Sequence, residues 1–352
     1  MGVYSYKCPN CGASLKYSPT EAKLNCEYCG SSFTQSEIDE RVKSNPDLID
    51  ESVDNEHETE ENGRIKGYNC NSCGAEVVTD DTTLTTFCYY CHSPVVLTDR
   101  AKGDFQPDKV IPFKFDKEEA TNRFLSWVSK KRYVPKSFYS TSQLENITGM
   151  YLPYWEVDAN YRMNVSGTGY TKKVRRVGDT EYTDTSSYKV VRNGEFGVSN
   201  VIELAYKKIE KPLIDSISPY DIENAEPFKV FYLNGFFSET YELTKDDITP
   251  VMNDRLEKYK EEVVKSFFDG YNSYEIDYEN SDEIDRKWNY VLLPTWIMTY
   301  DFNNKKYVYA MNGQTGKAYG DLPIDDRLIL KDAAIFGVII FLIALVGGYF
   351  IW

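Results

Sequence analysis

The residues of this chain best suited to chemistry are its eight cysteines, which fall in two stretches of identical spacing. Cys8, Cys11, Cys26 and Cys29 form one set; Cys70, Cys73, Cys88 and Cys91 form the other, 62 residues further on. In each, a Cys-x₂-Cys pair is followed by fourteen residues and a second Cys-x₂-Cys pair. Tetrahedral Zn²⁺ takes four soft ligands at about 2.3 Å, and two short Cys-x₂-Cys turns joined by a hairpin supply them. The spacing therefore predicts two closed Cys₄ sites, each with one structural Zn²⁺. A catalytic zinc keeps an open position and usually recruits histidine or a carboxylate, which these sets do not offer. Disulfide pairing inside each set is the alternative.

Glycine follows the second cysteine of a pair at Gly12, Gly30 and Gly74, where a knuckle needs a positive φ. His92 stands at the fourth such position, and four cysteines already fill its tetrahedron, so its expected role is structural. His57 lies in an acidic run and is expected to be a solvated bystander. The chain has no Gly-Lys-Ser/Thr phosphate loop, no His-Glu-x₂-His and no nucleophile elbow. With all cysteines assigned to metal, catalytic residues are expected to be none and the chain is read as a non-enzyme.

Elements must position those thiolates. About thirty residues cannot bury enough apolar surface to fold unaided, so metal would supply much of each module's folding free energy. The expected order is zinc ribbon 1 at 1–34, an acidic flexible linker at 35–63 and zinc ribbon 2 at 64–103. The linker carries eleven acids against Arg41 and Lys43, a net charge of −9, with one or two helical turns near "SEIDERVK". Ribbon 1 has a formal charge of +1, ribbon 2 of zero, and each Zn(Cys)₄ centre adds −2. With −15 over 352 residues, general polyanion binding has little electrostatic support, and nucleic acid is an unfavoured partner.

Residues 104–325 read as a duplicated α+β domain. "DKEEATNRFLSWVSKKR" predicts a helix with Asp116 and Glu119 at its N-cap and N3 positions. "TKDDITPVMNDRLEKYKEEVVKSFF" predicts a second, with Leu256, Tyr259, Val263, Val264 and Phe267 near one face. Each precedes a strand bearing Leu-Pro-x-Trp: Leu152-Pro153-Tyr154-Trp155, and 141 residues later Leu293-Pro294-Thr295-Trp296. Trp155 and Trp296 are expected as core anchors or, alternatively, as the lining of a partner-binding groove. Asn312, Gly313 and Gly316 predict the turn of a late hairpin.

Residues 326–352 read as a juxtamembrane segment and a transmembrane helix. The uncharged run 333–352 reaches about 30 Å at 1.5 Å per residue, one hydrocarbon core. A buried C-terminal helix is the alternative. Arg327, Lys331 and cysteines suited to a reducing compartment place the N-terminal region in the cytoplasm, on a single-pass, tail-anchored chain at the cell membrane.

The fold class expected is thus α+β: two N-terminal zinc ribbons, a duplicated α+β middle domain and one C-terminal transmembrane helix. The two modules, the Leu-Pro-x-Trp strands and the apolar run together resemble a family of bacterial membrane-anchored proteins. That family has double, transcription-factor-IIB-type zinc ribbons. Its members are sometimes labelled as primosomal, replication-restart helicase-like proteins, although no helicase nucleotide-binding motif is present here. The resemblance implies work with phage-shock-type and SPFH-type membrane proteins under envelope stress. The function expected is an adaptor that recruits or scaffolds soluble partner proteins at the cytosolic membrane surface. The alternative is a membrane-tethered nucleic-acid-binding protein.

Overall fold

Short strands frame the first cysteine set: β1 (Gly2–Tyr6), β2 (Lys16–Ser18), β3 (Lys23–Asn25) and β4 (Ser32–Phe33), of which β2, β3 and β4 make a small antiparallel sheet. The structure, a computed structural model, describes residues 2–53, 65–70, 76–80, 82–88, 94–97, 105–139, 147–302 and 305–351. Thr34 caps helix α1 (Gln35–Ser44) through a reciprocal box. Its hydroxyl accepts from the Glu37 amide, and the Glu37 carboxylate accepts from the Thr34 amide at 2.7 Å. Strand β5 (Ile49–Val53) then pairs along the whole of β1. The expected flexible linker is therefore ordered as far as Val53, because a capping box starts a helix and the strand after it finds a partner. The remainder, 54–63, lies outside the described residues.

The second cysteine set is framed by the hairpin β6 (Ile65–Asn69) and β7 (Glu76–Asp80), then by the hairpin β8 (Thr83–Phe87) and β9 (Pro94–Leu97). Strand β9 also pairs with β1, joining Val3 to Leu97 and Tyr4 to Val96. After β10 (Lys109–Val110), Asp116 accepts the Glu119 amide at 2.9 Å and starts helix α2 (Lys117–Ser129). The Glu119 carboxylate turns instead to Arg123, one helical turn on.

Two long strands follow, β11 (Thr148–Val177) and β12 (Thr180–Leu204), and then α3 (Lys211–Ile217), β13 (Glu226–Pro227) and β14 (Phe237–Glu239). Helix α4 (Lys245–Ser266) buries Ile248, Met252, Leu256 and Val264, while Tyr259 is exposed. Last come β15 (Ser273–Phe302), β16 (Lys305–Asn312), β17 (Ala318–Gly320) and helix α5 (Asp326–Ile351). The late turn forms as expected: Asn312 Oδ1 accepts the amides of Gln314 and Thr315, and Gly316 has φ +77°.

The α+β expectation is corrected. Strands dominate, and twelve of them belong to one mixed sheet along the path β13-β10-β15-β11-β14-β8-β9-β1-β5, with β12, β16 and β17 attached beside it. The same order of elements (short strand, helix, long strand, return strand) does run twice, in β10-α2-β11-β12 and β14-α4-β15-β16. Yet the two runs are not separate units. Their Leu-Pro-x-Trp strands pair antiparallel with each other, with Leu152 opposite Leu293, Pro153 opposite Leu292 and Tyr151 opposite Pro294. Thirty residues at about 3.3 Å each carry β11 and β15 through roughly 100 Å. Their far halves and β12 form a three-stranded blade whose inner face is covered by Val264 and Phe268 on Met163, Val165 and Val190.

The core lies where the blade meets the short strands. Phe113 stacks on Phe236 at 4.2 Å between centroids and meets Tyr151 and Trp296 edge-on at 5.0 Å. Such edge-to-face and stacked pairs add to the burial of large rings.

The membrane expectation is also corrected. Among the described residues, no helix is long and apolar enough to cross a membrane. Charges crowd the start of α5, where Asp326, Arg327, Lys331 and Asp332 occupy four of the first seven positions. Arg132 pairs with Asp332 at 2.9 Å, tying that turn to the globular part. The side chains of 345–352 lie outside the described residues. The single-pass, tail-anchored membrane location expected from the sequence is withdrawn with the span.

Candidate metal centre

Two backbone knuckles of the same pattern hold the first cysteine set. In one, the Gly12 amide donates to the Cys8 carbonyl at 2.8 Å and the Cys8 amide to the Ala13 carbonyl at 2.7 Å. In the other, Gly30 donates to Cys26 at 2.9 Å and Cys26 to Ser31 at 2.8 Å. Gly12 and Gly30 have φ +74° and +73°, the left-handed conformation that glycine adopts without steric cost. The spacing predicted this role for both.

The four sulfurs converge within 4.8 Å of one another. Cys8 Sγ lies 3.5 Å from Cys29 Sγ, and Cys11 Sγ 3.5 Å from Cys26 Sγ, so each contact crosses from one knuckle to the other. A tetrahedron with bonds of about 2.3 Å has edges of about 3.8 Å, so the set fits a single tetrahedral Zn²⁺. Cys8 and Cys26 are buried, Cys11 and Cys29 exposed.

The electrostatics fit a cation as well. Four thiols this close resist carrying four negative charges together, and the burden divides unequally. Hydrogen bonds from the Ser31 hydroxyl and amide hold the Cys29 thiol down at about 6. The Ala13 amide favours the Cys11 thiolate, but desolvation and the neighbouring thiols outweigh it and push that thiol up to about 12. Burial raises Cys8. A divalent ion among the sulfurs removes this conflict.

The module is not a knob on a tether. Cys8 and Cys26 share one hydrophobic cluster with Leu15, Tyr17, Leu24, Phe33 and Ile38, and the cluster continues into Phe231 and Phe236, which precede β14, and into Trp296 of β15. Strand β1 joins the main sheet through β9, and Tyr17 adds a side-chain contact to the junction. Its ring meets Phe231 at 5.3 Å and Tyr232 at 5.5 Å, both edge-on, and its amide donates to the Asn234 carbonyl at 2.8 Å. Burial, with the Glu226 carboxylate nearby, pushes its hydroxyl up to about 12.

Of the second set, Cys70 and Cys88 are buried in one cluster with Val77, Val95 and Leu97. Cys73, Cys91 and His92 lie outside the described residues, as does His57. Trp155 and Trp296 are 4% and 2% exposed. The Trp155 indole N–H donates to the Leu243 carbonyl at 2.8 Å, and Trp296 is enclosed by Phe113, Phe115 and Phe236. Both anchor the core. Rings this enclosed expose almost no surface of their own.

Sequence reasoning missed Ser31, whose hydroxyl lies 3.2 Å from Cys29 Sγ and accepts from Asn10 Nδ2 at 2.8 Å. A signal for it was present: a serine stands two residues after the last cysteine in both sets, as Ser31 and Ser93.

No family model matches the chain, and no solved structure matches it. It is 32% identical over 322 residues to the uncharacterized protein YdjG of Bacillus subtilis (strain 168), an alignment spanning 92% of this chain and 91% of that protein. With that identity extending over about nine-tenths of both proteins, the chain belongs to the family of YdjG.

Proposed function

We propose that the chain is a zinc-dependent adaptor that binds partner proteins, with one structural Zn²⁺ in each cysteine set. The observation that carries this reading is the closed, four-thiolate donor set at the first site, which leaves a metal no open position for substrate. In such a site the ion supplies cohesion, and the chemistry of the chain becomes that of its surfaces.

Two surfaces support a binding role. Tyr28, on the turn between Cys26 and Cys29, is 84% exposed and sits on a backbone fixed by the knuckle bonds. The blade adds a long exposed sheet whose distal residues include Tyr182, Tyr188 and Tyr278, amphipathic rings suited to protein contact. The second ion rests on Cys70 and Cys88, which already share one buried cluster. Phage-shock-type and SPFH-type proteins, the partners implied by the family resemblance, are the first candidates to test.

The test is metal analysis of the purified chain together with crosslinking and mass-spectrometric identification of bound proteins. Two zinc per chain and a stoichiometric protein partner are expected. A chain that binds no zinc, or one that binds nucleic acid at near-physiological salt and no protein, overturns the reading.

A further inference from the structure

The four ligands of the first site are not equivalent, and their differences suggest a chemical consequence. Cys8 and Cys26 are 1% and 2% exposed, whereas Cys11 and Cys29 face solvent. Each exposed sulfur lies 3.5 Å from a buried one on the opposite knuckle. Ser31 marks Cys29 among the exposed pair. Asn10 Nδ2 donates to the Ser31 oxygen, and a Cys29 thiolate can only accept, so the Ser31 hydroxyl is the donor to its sulfur at 3.2 Å. That proton donor stands where an oxidant meeting Cys29 must shed a hydroxide.

We propose that the first cysteine set is an oxidation-released metal site, with Cys29 as the entry sulfur and Cys8 as its resolving partner. This rests on the zinc reading given above. The oxidant class is a hydroperoxide. The Cys29 thiolate attacks the peroxide O–O bond, forming an S–O bond and expelling hydroxide, which takes up a proton. The Cys8 thiolate then attacks the sulfenic sulfur, forming the Cys8–Cys29 disulfide and expelling a second hydroxide. Two thiolates give up two electrons, and the peroxide ends as two molecules of water. Cys11 and Cys26 remain, and two thiolates are too few to retain a structural zinc.

Position argues for this pairing over a bond within a knuckle. Inside each Cys-x₂-Cys turn the backbone is fixed by the two knuckle hydrogen bonds, and the 3.5 Å sulfur contacts, Cys8 to Cys29 and Cys11 to Cys26, run between knuckles. The result is a centre stable toward dilution yet open on one face to an electrophile.

The experiment uses the full chain with its metal quantified first, so that a chain purified without zinc refutes the zinc reading before any oxidant is added. Hydrogen peroxide is then titrated while metal release is followed with a chromogenic chelator, and disulfides are mapped by peptide mass spectrometry. Release of one equivalent of metal together with a Cys8–Cys29 linkage is expected. Cys29→His, which keeps a four-ligand Cys₃His set, is expected to slow that release at least tenfold, while Cys11→His releases at close to the wild-type rate. Retention of metal under peroxide, a dominant linkage elsewhere, or equal behaviour of the two histidine variants overturns the proposal. If either variant fails to hold metal, the linkage map of the unaltered chain decides alone.

Discussion

Tyr17→Ala separates a module wired into the core from one that rides on it. Tyr17 is 7% exposed, and its ring sits edge-on to Phe231 and Tyr232 at the junction of the cysteine module with the main sheet. Truncating a buried aromatic to alanine costs about 3–5 kcal/mol when the site cannot collapse. Two edge-to-face contacts are lost as well, each worth about 0.5–1.5 kcal/mol beyond area, a part already included in such measured totals. A loss of about 4 kcal/mol follows. The assay is guanidinium unfolding followed by tryptophan fluorescence, because the five tryptophans (127, 155, 288, 296 and 352) all lie outside the cysteine module. Their signal therefore reports the sheet and not the module. If module and sheet unfold as one, the fluorescence transition moves by the full amount. A shift below about 1 kcal/mol, with the metal retained, would falsify the coupling and restore the tethered module.

Further outcomes follow from the same geometry. Cys8→Ser is expected to remove one of two bound metals and Cys70→Ser the other, read by atomic absorption; loss of both from a single substitution would contradict separate sites. Glu156 is fully buried against Lys109 at 2.8 Å and Asn289 at 3.1 Å, so Glu156→Ala strands the Lys109 ammonium and is expected to cost about 3 kcal/mol in chemical denaturation. The carboxyls of Glu37 and Asp247 are held below the usual range by hydrogen bonds from Thr34 and Thr244 respectively. A depressed folded value means the stabilisation is complete above the ordinary carboxylate pKa of about 4 and is lost as pH falls through the lower folded values. Acidification from pH 5 is expected to raise amide exchange in the first turns of α1 and α4, and Thr244→Ala, which leaves only the backbone amide bond to Asp247, should weaken that dependence in α4 at a cost of ~1 kcal/mol.

Local chemistry was legible in the sequence because it depends on near neighbours. The Cys-x₂-Cys spacing, the glycines at positive φ and the Asp116 cap are each decided within four or five residues, and each appears where the spacing put it. The late turn at Asn312 and Gly316 belongs to the same class. What escaped was pairing between distant segments. Leu152 and Leu293 look like two instances of one motif opening two units, and nothing in either motif states that each is the partner of the other. Hydrophobic alternation fixes which face of a strand is buried, but leaves open which strand lies beside it. The acidic run was legible in part: the helical turns expected near "SEIDERVK" form as α1, while the pairing of Ile49 to Val53 with β1 is hidden by a net charge averaged over residues with different fates. The Leu-Pro-x-Trp tryptophans show the cost of reading a ring without its neighbours: Phe113 and Phe236, which enclose Trp296, lie 183 and 60 residues away from it in the chain. The cysteine spacing likewise accounts for the module's four sulfurs but not for what the module packs against. Tyr17, one residue of β2, reaches across to Phe231 and Tyr232 and so joins the four converging cysteines to the core that the sheet shares, a contact that nothing in the cysteine spacing announces.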